Sequence, residues 1–366
     1  MRHARKVTAA VTLGLAATLA LTACGGNGDE PSGAGAGANN GGGAAAEDVT
    51  LTWGGWDLDL GSEFRPLAEA FMAEHPGISI ELVDYPNAEW AVAMTADLAA
   101  GSAPDIITLR NVTDLITWGE AGQLLDVTDI ADGLDPETAL RDVYQIDGTV
   151  YGVPYRADHW VLFYNKDLFR EAGVDFPDGS WTWEDFNNAA RELRAGLPDG
   201  VFPAYQHIWP STVSAFAHTQ TPGADLFSDD WSWLEPFYQW ALERDREQLQ
   251  TNFGSVTTGT LHHNAEFGQQ RAAMAHMGTW FIQSMLNPEM NMDDFEWGMA
   301  PVPQFDESTT GANATPVTVG GPTGVAINAG IDGARVEAAR TFLSWIAAEG
   351  GAQVLAERGQ MTPLMT

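Results

Sequence analysis

Between residues 49 and 110 three strand-like segments alternate with two helix-like ones, and this alternation restricts the fold more than any other feature. VTLTWGGW (49–56) is a β-rich run. SEFRPLAEAFMAEHP (62–76) carries apolar residues at helical spacing, with Ser62 as the expected N-cap and Pro76 beyond the end. GISIELVDY returns to a strand, NAEWAVAMTADLAAG to a helix closed by Gly101, and PDIITLR to a third strand. This βαβαβ order predicts an α/β fold with a mostly parallel sheet. Ligands of such sheets gather at the carboxyl ends of the strands, which makes Trp53, Trp56, Asp57, Arg110 and Asn111 candidate contacts.

About 318 residues follow Asp48, more than one hydrophobic core usually serves, so two lobes are expected. Ahead of them, Arg2, Arg5 and Lys6 precede an uncharged run over 7–20, the layout of a secretory signal and too short for a membrane span. Leu21-Thr22-Ala23-Cys24 holds the only cysteine and resembles a bacterial lipobox, which implies a signal peptide over 1–23 and lipid on Cys24. Two or more acyl chains anchor stably where one does not. Residues 24–48 then read as a flexible Gly/Ala-rich tether. With no second cysteine, stability outside the cell rests on packing. A formal charge of −33, from 17 basic against 50 acidic residues, argues against nucleic acid and against electrostatic attachment to anionic lipid.

YGVPYRADHWVLFYNKDLFREAGV (151–174) passes from an apolar strand into a helical turn, and Pro154 disfavours helix at Val153. Spacing alone does not separate a binding hinge from a routine strand-to-helix junction. Gly152-x-Pro154 followed by Leu162-x-Tyr164-Asn165-Lys166-Asp167-Leu168-Phe169 resembles the signature of the family 1 extracellular solute-binding proteins, the sugar-binding subunits of bacterial ABC importers. AAGSAPDIITL (99–109), SWTWEDF (180–186), FGQQRAAMAHMGTW (267–280), WGMAPVPQ (297–304) and TVGGPTGVAI (318–327) resemble further blocks of that family in order, with Gln270 where glycine is common.

The resemblance implies a two-lobed periplasmic-binding-protein fold of type II that closes like a clamp on its ligand. Its first lobe would comprise 49–155 plus 305–366 and its second 156–304, with crossings near 154–158 and 300–304. It implies a monomer on the outer face of the cytoplasmic membrane, handing a carbohydrate to importer permease subunits. It also implies ligand contacts from Trp280 and Asp158, then from Asp57, Arg110 and Asn111, from His207 and Trp209, and from the backbone at Gly320 and Gly321. In that family the chain continues past a segment like 358–366 and adds helices to the second lobe, so an uncovered apolar face is expected there.

Sugar chemistry agrees with several of these residues. A pyranose presents C–H faces to aromatic rings and hydroxyls to carboxylates, amides and guanidinium groups. Among the 14 tryptophans, Trp53, Trp56, Trp160, Trp209 and Trp280 stand beside polar residues at segment ends. Trp118, Trp183, Trp240 and Trp345 fall at helical apolar spacings and are assigned to packing; Trp231 and Trp233 fit either role.

Enzymatic alternatives find little support. Carboxylate pairs such as Asp57 with Asp59 or Asp293 with Asp294 are unavoidable among 50 acidic residues, so a lipid-tethered glycosidase is neither indicated nor removed by them. There is no Gly-x-Ser-x-Gly elbow, no His-Glu-x-x-His zinc helix and no phosphate loop. The pair His262-His263 and the scattered His207, His218 and His276 lack metal-ligand spacing, so neither metal nor cofactor is expected. A binding lipoprotein of the same fold for a non-sugar ligand remains the other alternative.

Overall fold

A computed structural model describes residues 48–136, 138–209, 212–290, 292, 294–311 and 315–364. The expected signal segment, Cys24 and the tether lie outside the described residues.

The strands are β1 (Val49–Trp56), β2 (Ile78–Tyr85), β3 (Ile106–Leu109), the hairpin pair β4 (Gln145–Ile146) and β5 (Thr149–Val150), β6 (Val153–Asn165), β7 (Phe202–Tyr205), β8 (Ala272–Gly278), β9 (Trp297–Pro301) and β10 (Gly320–Ile327). Apart from the hairpin they join in the order β2-β1-β3-β10-β6-β8-β7, with β9 also on β6. β1 runs parallel to both β2 and β3, and β10 is antiparallel to its two neighbours. The expected βαβαβ unit is present, with intervening helices Phe64–Glu74 and Trp90–Ala100. Gly101 ends the second helix in the left-handed conformation, as the sequence predicts. Ser62 is not the cap of the first: Glu63 occupies that position without a side-chain cap bond, because its carboxylate is drawn to Tyr155 and Arg156.

β6 organises the molecule. Residues 153–159 pair with β10, whereas 160–164 pair with β8 and 161–165 with β9, so one strand serves two bodies of core. One apolar cluster draws on residues between Leu51 and Tyr155 and between Val325 and Leu355; two others draw on residues between Trp160 and Val302. Pro154, with no N–H for the ladder, pairs with Gly324 where the β10 register shifts, and that irregularity accommodates it.

Trp53, Phe64, Phe71 and Phe342 form the centre of the first cluster, each fully buried. Burying each phenylalanine stabilises the fold by roughly 1.5–3 kcal/mol. Asp105, of the Pro-Asp pair, accepts from the Thr52 N–H and hydroxyl and ion-pairs with Arg335 at 2.7 Å, which ties β1 to the helix Gly333–Ile346. In the second half, Thr182 and Asp185 close a capping box on the helix Trp183–Gly196, which buries Trp183, Phe186, Ala190 and Leu193 along one face. Asn165 caps the helix Lys166–Ala172 by accepting from Leu168 N–H, while Lys166 and Arg170 pair with Glu296 beside β9. The Asn-Lys-Asp signature is thus a structural joint.

Gln270, where the resembled family commonly has glycine, sits at φ 59 in the left-handed region that favours glycine. Its side chain compensates in part by accepting from Asn165 Nδ2 at 3.2 Å. Trp118, Trp183 and Trp345 are buried and Trp240 packs beside Phe237 and Phe305. Trp231 and Trp233 stack on each other at 5.6 Å with Trp231 exposed. The second half also exposes Leu226, Phe227, Tyr238 and Leu242, the last two one turn apart on the helix Glu235–Arg246. Among the described residues no helix is long and apolar enough to cross a membrane.

Candidate ligand-binding site

Three polar residues stand at the carboxyl ends of the three parallel strands of the first half. Asp57 follows β1, Asn87 follows β2 and Arg110 follows β3. They are linked: Asn87 Nδ2 donates to Asp57 Oδ2 at 2.6 Å, and Arg110 Nη1 donates to the Asn87 carbonyl at 2.9 Å and to its Oδ1 at 3.2 Å. Arg110 also lies over the Trp56 ring, 5.8 Å from its centroid, and its backbone N–H donates to Asp114. Burial lowers the Arg110 pKa, against the Asp114 charge that raises it. Asp57 holds φ 56 and ψ 33, a left-handed conformation that a residue with a short polar side chain tolerates best.

The second half contributes rings. β7 and β8 are parallel, and His207 and Trp280 follow their carboxyl ends. Trp280 meets Trp160 edge-on at 5.4 Å and Trp209 at 6.2 Å; His207 lies 4.0 Å from Trp209 and 6.0 Å from both His262 and His263. Trp209 and Trp280 are partly exposed, whereas Trp160 is 6% exposed and wedged between them and Phe216. Trp160 therefore supports the other two rings and does not offer a face of its own.

The three histidines are neutral at physiological pH. Burial pushes His207 down to about 4, with His262 adding to the shift, and holds His263 well below the usual imidazole value, His262 and His207 adding to it. Burial also lowers His262, but there the Asp57 carboxylate opposes the shift. The Asp57 carboxylate at the end of β1 is therefore close enough to His262 for its charge to act on that ring. His207 Nδ1 accepts the Ile208 N–H at 2.9 Å, so the neutral ring carries its proton on Nε2 and keeps one donor. Among the described residues no cluster of His, Cys, Asp or Glu has metal-binding geometry.

Other sequence candidates fall elsewhere. Trp53 is fully buried, its indole N–H donating to Thr108 Oγ1 at 3.0 Å, so it is a core residue and not a contact. Asp158 is 4% exposed and both its oxygens are engaged, Oδ1 by the Thr279 hydroxyl at 3.0 Å and Oδ2 by Arg156 Nε at 2.6 Å. It belongs to a buried Glu63–Arg156–Asp158–Thr279 chain at the crossing, and the expectation that it receives ligand hydroxyls gives way to that role. Asn111 is exposed but its Oδ1 caps the helix Val112–Gly119 by accepting from Asp114 N–H. Gly320 and Gly321 are exposed at the start of β10. A Cβ on Gly320 would stand 2.7 Å from His159 Nδ1, so its steric need comes from the neighbouring strand, while Gly321 faces open space.

Sequence reasoning missed Asn87, although it follows a strand as Asp57 and Arg110 do. It also read the pair His262-His263 only for metal spacing.

A family model described as bacterial extracellular solute-binding protein matches residues 54–353. The chain belongs to this family. Among solved structures, a sugar transporter of Rhizobium etli in an open conformation superposes with a TM-score of 0.66 at 28% identity, covering 87% of this chain and 81% of that one. An arabinooligosaccharide-binding protein of Halalkalibacterium halodurans is 26% identical over 72% of this chain and 60% of its own length. A putative binding protein of Brucella abortus is 33% identical over 141 residues, 38% of this chain. That match spans about a third of the Brucella protein, 34% of its length. The architecture is the two-lobed periplasmic-binding-protein fold of type II. The family is one of binding proteins, and the glycosidase alternative has no support from it.

Proposed function

We propose that this solute-binding protein captures a sugar or oligosaccharide between its lobes and delivers it to the permease of an ABC importer. The observation that carries the reading is the pairing of two surfaces. One is the partly exposed Trp209 and Trp280 rings with the neutral histidines; the other is the linked Asp57–Asn87–Arg110 set. Rings accept the C–H faces of a pyranose, while the carboxylate, amide and guanidinium groups accept and donate to its hydroxyls. Relatives and structural neighbours named for arabinooligosaccharides and other sugars support the class. The lobes are taken as 49–155 plus 305–366 and 156–304; the pairing of β6 with β10 on one side and β8 on the other favours a hinge within 154–160. The protein would act as a monomer tethered through lipid on Cys24 to the outer face of the cytoplasmic membrane.

The test is thermal unfolding of the full chain with millimolar mono- and oligosaccharides. A ligand at 100 times its dissociation constant adds about 2.7 kcal/mol to stability. A rise in Tm selective for one sugar class and lost in Trp280→Ala supports the reading. If no sugar moves the transition while a non-sugar solute does, the carbohydrate assignment falls and the binding role stays.

A further inference from the structure

Thr279 stands between Gly278 and Trp280, the two residues of the Gly-x-Trp block that shape the ring site, and both its backbone and its side chain are tied to β6. Its N–H donates to the His159 carbonyl at 2.9 Å. Its hydroxyl accepts the His159 N–H at 3.2 Å and donates to Asp158 Oδ1 at 3.0 Å. The single hydroxyl proton and one lone pair are therefore both engaged, in a residue that is 6% exposed. Asp158 is fixed in turn by Arg156 Nε at 2.6 Å, and Arg156 by Glu63 at the start of the helix Phe64–Glu74. Four buried side chains thus lead from that helix to the residue next to Trp280.

The ring of Trp280 depends on this short stretch of backbone. Trp280 is the N-cap of the helix Phe281–Leu286 and makes no side-chain cap bond. Gly278, paired with Trp160 at the end of β8, leaves the room over which the ring folds. The ring meets Trp160 and Trp209 edge-on and is partly exposed, so the backbone of 278–280 sets the direction in which it leaves the strand. An aromatic side chain already held in place loses less freedom when a ligand packs on it than one that must first be ordered.

We propose that Thr279 is a positioning residue of the ligand site: its hydroxyl, held between the His159 N–H and the Asp158 carboxylate, keeps the Trp280 ring in the orientation that packs on a sugar. The effect on affinity rests on the carbohydrate reading above; the hold on the ring does not.

The experiment is fluorine NMR of the full chain carrying 5-fluorotryptophan, with the Trp280, Trp53 and Trp118 resonances identified by their loss in the corresponding Trp→Phe variants. Thr279→Val keeps the branched side chain and removes the hydroxyl, whereas Thr279→Ser keeps the hydroxyl and removes the methyl. The Trp280 resonance is expected to move or broaden in the valine variant and to stay in place in the serine variant. Unchanged resonances from Trp53 and Trp118, in the first apolar cluster, report an intact fold. If the valine variant folds poorly, Thr279→Ala makes the same test without a methyl in place of the hydroxyl.

Titration of the same proteins with glucose, lactose, maltotriose, arabinotriose and xylotriose reads the consequence. For a sugar that binds the parent chain, Thr279→Val is expected to weaken binding about three- to tenfold, the equivalent of one net hydrogen bond, and Thr279→Ser to bind as the parent does. A Trp280 resonance that stays in place without the hydroxyl, or that moves equally in the serine variant, overturns the positioning role. A displaced ring with undiminished affinity overturns its bearing on binding. If the ring moves only when the hydroxyl is lost and no sugar binds the parent chain, the hold on the ring stands and the carbohydrate reading is what fails.

Discussion

Gly278 lies under the ring of Trp280: a Cβ built on it would stand 1.7 Å from the ring carbon Cζ3 and 2.1 Å from Cε3. The Gly-x-Trp spacing therefore lets the tryptophan ring fold back over the end of β8, against Trp160 and towards Trp209. Gly278→Ala is expected to push Trp280 off this position. Because the ring is partly exposed, the fold survives with a loss of about 1–3 kcal/mol from overpacking. Sugar affinity should fall as far as it does in Trp280→Ala. Calorimetric titration of the two variants side by side checks this; unchanged affinity in Gly278→Ala would sink it.

Arg156 sits between Glu63 and Asp158 with all three side chains almost fully buried. Burial by itself favours the neutral carboxyl and raises the Asp158 pKa, while Arg156 and the Thr279 hydroxyl pull it back. Removing one member of such a set leaves an under-compensated buried charge, which costs about 3–5 kcal/mol. Asp158→Ala is expected to lose about 3 kcal/mol in urea unfolding, since Glu63 still faces the guanidinium. A residue that merely touched ligand would do the opposite, lowering affinity at constant stability.

The contrast between Trp53 and Trp280 marks how far the sequence carries. Trp53 stands in β1 beside Gly54 and Trp280 two residues past Gly278 at the end of β8, and sequence reasoning nominates both. Period-2 and period-3.6 runs made the βαβαβ unit legible, because each records which face of an element is buried. They do not record depth: Trp53 lies under the helices Phe64–Glu74 and Gly333–Ile346, and the second arrives more than 270 residues later in the chain. Asp158 misleads for a related reason, since Glu63, the other carboxylate on Arg156, lies 95 positions away and only the crossing of β6 brings them to one arginine. Asp57 and Arg110 were nominated by the carboxyl-end rule, which is local to each strand, whereas His207, Trp209 and Trp280 were nominated as contacts by the family resemblance. Asn87 obeyed the same rule and lacked only a motif to draw attention to it.

Among the described residues, Asn87 links Asp57 to Arg110. Asn87→Ala removes the donor to Asp57 and the Oδ1 acceptor of Arg110 but keeps the backbone carbonyl that Arg110 also uses, so the carboxylate loses its fixed position relative to a guanidinium that stays partly held. The loss expected in sugar affinity is about 1–3 kcal/mol, the usual cost of unmatched polar groups, or roughly five- to a hundredfold. Stability should change by less than about 1 kcal/mol because Asn87 is not in the core. Calorimetric affinity and urea midpoint, measured together, separate a site role from a folding role, and a midpoint shift with intact affinity would refute the link.

His207 and His276 couple folding to pH with a definite sign. Burial holds His207 at about 4 and His276 at about 3, the Arg244 charge adding to the second, whereas in the unfolded chain each titrates near 6.5. As pH falls below 6.5 the unfolded state takes up these protons and the folded state does not, so stability declines until the folded values are reached near 4 and 3. Each histidine contributes at most about 1.4 kcal/mol per pH unit in that window. The raised values of Asp114 and Asp158 act in the other direction, because those carboxyls protonate first in the fold, and they partly offset the decline. His276 packs against Trp183 and Phe186 with its Nε2 unpartnered, so His276→Leu removes a proton acceptor without stranding a hydrogen bond. Urea midpoints between pH 7 and pH 4.5 should fall less steeply in that variant than in the parent protein, and parallel slopes would show that His276 is not protonated on unfolding in this range.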